Sequence, residues 1–438
     1  MKKNLIIIFA FIYGISYSQE KYTLQRCLET GLERNYDIRI VRNQEKIADN
    51  NVTIGNAGFL PSIDLSAGVS GTLYNKYEQK YTDGSENNIS DVLNEGANLG
   101  LSLSWTLFDG FQMQTSYQRL KQYRSVGELN TRLVIENWIA GLVAEYYNFV
   151  QQNIRQSNLR YAVALSRERL RIAEAKYEIG ADSKLDMEQA RVDFNADSSS
   201  LIKQYEQLYA SQIALNRMMA LDEVAGNIAL TDSVINLNLE LDELSLLSEM
   251  QQANSELLLA DRNKYISELD YKALKSRNYP YLRLSAGYGY TINKYGASSM
   301  ERQNTLGLNG GLTLGFSVFD GFNRGREQKN ARITIQNRQL QYEQTILALK
   351  SDLATMWMSY QNNIKLINLE RENLETAHQN YEKAIESYRL GTFSGLELRE
   401  AQNSLLGAEE RLLQAQYNTK LCEISLLQIS GRAGEYLK

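Results

Sequence analysis

Leu60-Pro61-Ser62-Ile63-Asp64-Leu65-Ser66-Ala67-Gly68 returns 219 residues later as Tyr279-Pro280-Tyr281-Leu282-Arg283-Leu284-Ser285-Ala286-Gly287, and this pair decides the architecture. Self-similarity over so long a spacing marks a chain built from one plan used twice. Downstream, Leu107-Phe108-Asp109-Gly110-Phe111 returns as Val318-Phe319-Asp320-Gly321-Phe322 at an offset of 211. The same offset maps Tyr177-Glu178-Ile179-Gly180 with Leu185 onto Tyr388-Arg389-Leu390-Gly391 with Leu396. The drop from 219 to 211 predicts an outer hairpin loop eight residues longer in the first half, between Tyr74 and Asn98. The plan divides into a first repeat, 19–220, a polar connector, 221–242, expected at the joint between stacked helices, and a second repeat, 243–438.

Pro61 and Pro280 occupy equivalent places, each where a helix stops and an alternating stretch begins. Ile63, Leu65, Ala67, Val69 and Leu73 alternate with small polar residues, as do Leu99, Leu101, Leu103, Trp105 and Leu107. The second half repeats this with Leu282 to Ile292 and Leu306 to Val318. Period two over ten to thirteen residues suits a strand crossing a bilayer at a tilt, its second face lining a watery lumen. A half-buried soluble sandwich would use strands about half as long. Phe59, Trp105, Phe108, Tyr279, Tyr281, Phe316 and Phe319 gather at one end of these strands, and Tyr74, Tyr77, Tyr81 and Tyr295 toward the other, as two interfacial girdles would.

Everything else reads as helix. Two prolines in 438 residues leave Phe111–Ile179 and Phe322–Leu390 uninterrupted, rods of roughly 100 Å at 1.5 Å per residue. Leu374, Ala377, Tyr381, Ala384 and Tyr388 step by three and four, with Val163, Leu170, Ala173 and Tyr177 in equivalent places, a coiled-coil seam. Each rod ends at a glycine, Gly180 or Gly391, and returns as a helix from about Asp182 to Met219 or from about Ser394 to Ile429. Lead-in helices from Thr23 to Gly58 and from Leu244 to Arg277 precede the strands, so two stacked shorter helices match one rod.

Lys2 and Lys3, the apolar run Leu5–Tyr13 and the small residues Ser16 and Ser18 predict a signal peptide over 1–18, cleaved before Gln19. The residue directly after that site is Gln19 and not cysteine, so no lipid anchor is expected, and no later segment is long and apolar enough for a spanning helix. A formal charge of -5 and scattered Lys and Arg exclude a nucleic-acid footprint. One histidine and two distant cysteines exclude most His- or Cys-based metal sites, and no metal or cofactor is expected. Cys27 and Cys422 are read as two unpaired buried thiols, with an oxidised pair left open.

Four strands cannot close a barrel, and open edges are not tolerated in lipid. Two copies would give eight strands, a barrel filled by its own side chains, and three give twelve, enough for a water-filled passage. Inward faces rich in Gly, Ser, Thr and Asn favour the homotrimer.

The order helix, proline, strand pair, Phe-Asp-Gly, long helix, glycine turn, helix, all in duplicate, resembles the TolC-type outer-membrane efflux channels. The Tyr388–Leu398 stretch, Tyr-Arg-Leu-Gly-Thr-Phe-Ser-Gly-Leu-Glu-Leu, strengthens the match, which covers essentially the whole mature chain. The resemblance implies a mainly α fold with a membrane β-barrel part, a trimer with a twelve-stranded barrel in outer-membrane lipid and an α-helical barrel through the periplasm. It also implies a membrane-fusion adaptor and an inner-membrane pump of the RND, ABC or MFS class as partners. The periplasmic tip, and hence the adaptor contact, would be Gly180, Ala181, Asp182 and Ser183 with Gly391, Thr392, Phe393 and Ser394. Family carboxylates ring the narrowest point after the second turn, and Glu397 and Glu400 stand there, three residues apart on one helical face. Here Glu replaces the commoner Asp, and Phe393 lacks the charge some members carry. Asp186 and Tyr388 match positions where tip helices are tied by polar contacts. Pro61, Pro280, Gly110 and Gly321 mark the helix–strand junctions.

Two other classes compete. An enzyme would need a nucleophile beside a base, yet the only histidine, His378, lies in a heptad rod, and the glycines at 287, 289 and 307–311 sit in strand alternation with no Lys-Ser/Thr after them. A structural coiled-coil protein or adhesin explains the rods but not the four strands. Cargo is not written in a duct's own residues.

Overall fold

The computed structural model describes residues 21–437, so the expected signal peptide lies outside the described residues. In chain order the elements are β1 (Lys21–Tyr22), α1 (Leu24–Arg34), α2 (Tyr36–Asn50), β2 (Ser62–Lys80), β3 (Glu86–Phe108), α3 (Gln112–Glu178) and α4 (Lys184–Met218). There follow β4 (Ala229–Leu230), α5 (Glu243–Ala253), α6 (Ser255–Ser276), β5 (Tyr281–Lys294), β6 (Arg302–Gly315), α7 (Asn323–Arg389), α8 (Gly395–Ile429) and a final 3-10 turn, Ala433–Leu437. They form two compact units, one of residues up to 41, 131–256 and 346 onward, the other of 42–130 and 257–345.

The second unit holds a four-stranded antiparallel sheet ordered β2-β3-β5-β6, in which β2 and β6 are open edges. Direct cross-strand partners share a face, so the register sorts the side chains into rows. Ile63, Leu103, Ala286 and Gly310 form one row, Leu65, Leu101, Tyr288 and Leu308 the next, then Ala67, Leu99, Tyr290 and Leu306. Val69, Ala97, Ile292 and Asn304 follow, and Gly71, Glu95, Lys294 and Arg302 close the series. The ten steps along the strand from Trp105 to Glu95 span about 33 Å, or about 25 Å of height at a tilt of about 40°, the height of the apolar band of a membrane barrel. Most large apolar residues of this face are exposed, Val69, Leu308 and Leu314 among them, while Leu103, Trp105 and Ile292 on the central strands are half-buried.

The strands are longer than the alternation predicted in the first hairpin. There 62–80 and 86–108 pair through to Lys80 opposite Glu86, so the eight extra residues extend the ribbon and the turn itself is short. Charged and polar residues there have no apolar period, which is why pattern alone did not find a strand. In the second hairpin, β6 ends at Gly315, and Phe316 and Val318 lie beyond it.

The Phe-Asp-Gly-Phe repeat is a strand-to-helix corner. Asp109 Oδ1 accepts from the backbone N–H of Gln112 (2.9 Å) and Met113 (3.2 Å), capping α3, and Asp320 Oδ2 accepts from that of Arg324 (2.8 Å) at the start of α7. Gly110 and Phe111 both have positive φ, 71° and 72°, and so do Gly321 and Phe322, at 68° and 63°. Two successive left-handed residues reverse the chain, a conformation costly for phenylalanine. Phe111 stands edge-on to Phe108 (5.3 Å) and Tyr279 (6.2 Å), and Phe322 to Phe319 (5.3 Å).

In the first unit the core gathers Tyr146, Leu142, Val143 and Val150 of α3, Leu215 of α4, Leu28 and Ile38 of the lead-in helices, and Ile235 of the connector. Cys27 and Cys422 are both buried and unpaired. Burial pushes the Cys27 thiol up to about 12. Each lead-in helix is divided: α1 gives way to α2 at Asn35, and α5 to α6 at Asn254. The division serves a clamp. Asn35 accepts from the N–H groups of Asp37 and Ile38 and donates through Nδ2 to the Met218 carbonyl (3.1 Å) at the end of α4. In the same way Asn254 donates to the Ile429 carbonyl (2.9 Å) at the end of α8. Both return helices thus have a terminal carbonyl satisfied by a side chain. The first lead-in helix also stops at Asn50, eight residues before the expected end at Gly58.

Candidate functional site

The hairpin ends formed by α3 with α4 and by α7 with α8 are the candidate site. Gly180 and Gly391 have φ of 74° and 81°, and an added Cβ would meet nothing within 4 Å at either, so glycine is required by backbone conformation alone. Ser183 and Ser394 then cap the return helices: Ser183 Oγ accepts from the Asp186 N–H (3.1 Å) and Ser394 Oγ from the Glu397 N–H (3.3 Å). Glu397 completes a capping box, its Oε2 accepting from the Ser394 N–H (2.8 Å) and hydroxyl (2.9 Å). Hydrogen bonds from the Ser394 backbone and hydroxyl hold the Glu397 carboxyl below its usual range. Glu397 thus has a local structural role that its spacing from Glu400 did not reveal, though Ser-x-x-Glu before an apolar run is its signature. Glu397, Glu400, Ala181, Asp182, Thr392 and Phe393 are on the surface.

Asp182 and Asp186 form a carboxyl pair. Burial, then the hydrogen bond with Asp186, raises Asp182, while the Ser183 hydroxyl and Asp182 lower Asp186. Tyr388, by contrast, is buried, and Lys176 of α3 donates to its carbonyl (2.8 Å) with the ammonium 3.9 Å from the ring centroid. Burial pushes the Tyr388 phenol up, and Asp182 adds to the shift.

Behind the tip, Tyr381, Ala384 and Tyr388 pack on Leu398, Ala401 and Leu405 of α8, with Leu374 and Ala377 alongside. The seam expected on α7 is therefore present. On α3 it holds in part: Val163 and Ala173 are buried and Leu170 is half-buried, but Tyr177 is 41% exposed, and Ala162, Ser166 and Arg169 are buried beside the seam. The polar pair on that face engages a network that the heptad pattern missed. Arg169 pairs with Asp193, and Ser166 with Asp197. Arg399 of α8 makes two hydrogen bonds to Asp197, at 2.7 and 2.9 Å, and its Nε lies 4.0 Å from Asp193. Gln402 donates to Ser166 Oγ (3.0 Å) and to the Ala162 carbonyl (3.3 Å). Arg169, its side chain 3% exposed, is held below its usual value by burial against the pull of Asp193, whereas Arg399 is raised, chiefly by the hydrogen bond to Asp197. A cavity of about 390 Å³ bordered by Arg169, Asp186, Asp193, Tyr388, Leu396 and Arg399 joins this network to the tip. Asp186 and Tyr388 therefore share one cavity wall, while Glu397 and Glu400 lie outside it.

A family model described as "Outer membrane efflux protein" matches the chain twice, over residues 28–221 and 240–432. Among relatives, the outer membrane protein TolC of Vibrio cholerae is 22% identical over 99% of this chain and 97% of its own. Outer membrane efflux protein BepC of Brucella suis is 19% identical over 94% and 85%. The Campylobacter jejuni outer membrane channel CmeC superposes with a TM-score of 0.78, covering 98% of this chain and 94% of its own at 16% identity. The chain belongs to the outer membrane efflux protein family, resides in the outer membrane with helices extending into the periplasm, and has a TolC-type fold.

Proposed function

We propose that this protein is the exit duct of a tripartite efflux or type I secretion system, three chains enclosing one passage from a periplasmic adaptor and inner-membrane pump to the outside. The observation that carries the reading is the sheet: four strands with two open edges and an exposed apolar face about one bilayer core high. Three sheets joined edge to edge give twelve strands, whose small polar inner face conducts. Passage needs no nucleophile or cofactor; the duct is passive, and the pump supplies energy and choice of cargo.

The Gly180–Ser183 and Gly391–Ser394 turns are assigned to the adaptor. Glu397 and Glu400, repeated by three-fold symmetry, place six carboxylates around one axis, a ring that favours cations. Tyr388, whose carbonyl accepts from Lys176, ties the hairpins just behind it, while Asp186 bonds within its own turn. The test is recovery of a heat-modifiable trimer from outer membranes, followed by conductance in planar bilayers. Glu397→Gln with Glu400→Gln is expected to raise conductance or abolish cation preference; a soluble monomer, or a pore that the double variant leaves unchanged, overturns the respective part.

A further inference from the structure

We propose that the lipid-facing side of the sheet carries a built niche for a phosphate-bearing glycolipid of the outer leaflet, of the lipid A type. This rests on the outer-membrane location but not on the trimer, since every residue of the niche comes from one chain. Two adjoining cavities, of about 590 and 320 Å³, share Val69, Ala97 and Ile292. The smaller continues down the apolar face to Ala67, Leu99 and Tyr290, an uncharged channel in which Ala67 and Ala97 lie between Val69, Leu99, Tyr290 and Ile292.

The larger cavity ends at Glu95, Lys294, Glu301 and Arg302. Register puts Glu95, Lys294 and Arg302 in one row on the apolar face, at the end of the strands away from the helices, and therefore at the outer interface. Lys294 lies 3.6 Å from Glu95, and Arg302 donates through Nε to Asn304 (3.0 Å). The loop after β5 lies against β3 beside Leu93 of the cavity lining: the Gly296 N–H donates to Asn94 Oδ1 (3.0 Å), and a Cβ there would meet the Leu93 carbonyl at 2.6 Å. Glycine thus lets this loop lie flat on β3 beside the charged group.

Charge selects the occupant. A single phosphodiester would face two cations and two carboxylates of no net charge. A glycolipid with two phosphates and bridging divalent cations uses all four groups, phosphate on Lys294 and Arg302 and metal between phosphate and Glu95 or Glu301. Its acyl chain fills the channel below.

The test uses the full protein, purified from its own outer membrane, stripped with excess detergent and titrated with hexa-acyl lipid A plus Mg²⁺, or with phosphatidylglycerol, the bound lipid being counted by native mass spectrometry. Wild type is expected to take up to one lipid A per chain and little phosphatidylglycerol. Lys294→Gln and Arg302→Gln should each weaken binding by about fivefold, and Ala97→Trp, which fills the channel, should abolish it with oligomeric state and conductance retained. Equal uptake of both lipids, no uptake by wild type, or uptake unchanged in Ala97→Trp or in Lys294→Gln with Arg302→Gln overturns the proposal. The same spectra report the oligomer, so a monomer that still binds lipid A sinks the trimer and leaves the niche standing.

Discussion

Replacing Arg399 by methionine leaves Asp197 largely buried with the Ser166 hydroxyl as its hydrogen-bond partner and the Arg169 charge nearby, and the cost can be worked from the structure. The side chains of Arg399 and Asp197 are 17% and 14% exposed and joined by hydrogen bonds of 2.7 and 2.9 Å. Breaking a buried pair from one side costs about 3–5 kcal/mol, and the residual exposure with the surviving hydroxyl reduces this to roughly 2–3 kcal/mol. Because α8 and α4 are the helices joined, the loss appears as local opening behind the tip, readable by amide hydrogen exchange in detergent-purified protein. Protection over residues 398–405 and 193–200 is expected to fall roughly 30- to 150-fold, at 1.4 kcal/mol per factor of ten. Adding Asp197→Leu removes the stranded carboxylate, so the double variant should return to within about 1 kcal/mol of wild type. A single variant that loses less than about threefold, or a double variant as poor as the sum of its parts, refutes the view that a buried charge pair fastens these helices.

The two strand-to-helix corners should respond differently to one substitution: Gly110→Ala drives a Cβ to 2.3 Å from the Ser276 carbonyl, whereas at Gly321 the nearest atom is Asn323 Nδ2 at 3.6 Å. Gly321→Ala therefore costs about 1–2 kcal/mol of backbone strain, and Gly110→Ala should deplete the protein in outer-membrane fractions. Ser394→Ala removes the cap on the Glu397 N–H and the hydroxyl's hydrogen bond to Glu397 Oε2 while the backbone N–H bond remains, costing about 1 kcal/mol, and exchange should quicken over residues 396–399 while Ser394→Asp restores it. Acid should act on the tip in two stages. Asp182 is raised in the folded protein, so its contribution is present at low pH and lost as pH rises through the folded value; Asp186 and Glu397 are lowered, so theirs are lost as pH falls through theirs. Titration down from neutrality should first slow exchange at 180–186 and then, below the ordinary carboxylate range, quicken it there and at 394–398; a single monotonic trend refutes the pairing of Asp182 with Asp186.

Much of the fold is legible in the residues because its periods are long and the chain repeats them. Alternation and proline placement locate all four strands of the large sheet, and the glycine turns bound both rods to within a residue or two. The failures have physical causes. A helix broken by one asparagine keeps its hydrophobic period on both sides, so Asn35 and Asn254 look like ordinary helical positions until the carbonyls of Met218 and Ile429 come into reach. The ribbon beyond Tyr74 stands clear of the apolar rows and has no alternation to betray it. At the tip, Ser394-x-x-Glu397 is a capping-box signature, but the three-residue spacing of Glu397 and Glu400 equally fits an exposed carboxylate face. Arg169, Arg399, Asp193 and Asp197 are scattered over more than two hundred residues, and each alone looks like a solvated helix charge.

That scattered group bears on how a tip of this kind can open. Ser166 and Arg169 come from α3, Asp193 and Asp197 from α4, and Arg399 and Gln402 from α8, while Lys176 ties α3 to the last turn of α7. All four helices of the two hairpins are thus held by buried or half-buried polar contacts within one chain. Swinging α7 and α8 away from α3 and α4 would strand Asp197 and Arg399 together and expose Tyr388, whereas moving the two hairpins as one body strands neither. Charged pairs left unpartnered in a low-dielectric seam cost more than solvated ones separated at a surface. If three chains form the duct as proposed, the cheaper motion is rigid displacement of whole chains at their mutual boundaries, with the exposed Glu397 and Glu400 as the groups whose spacing changes.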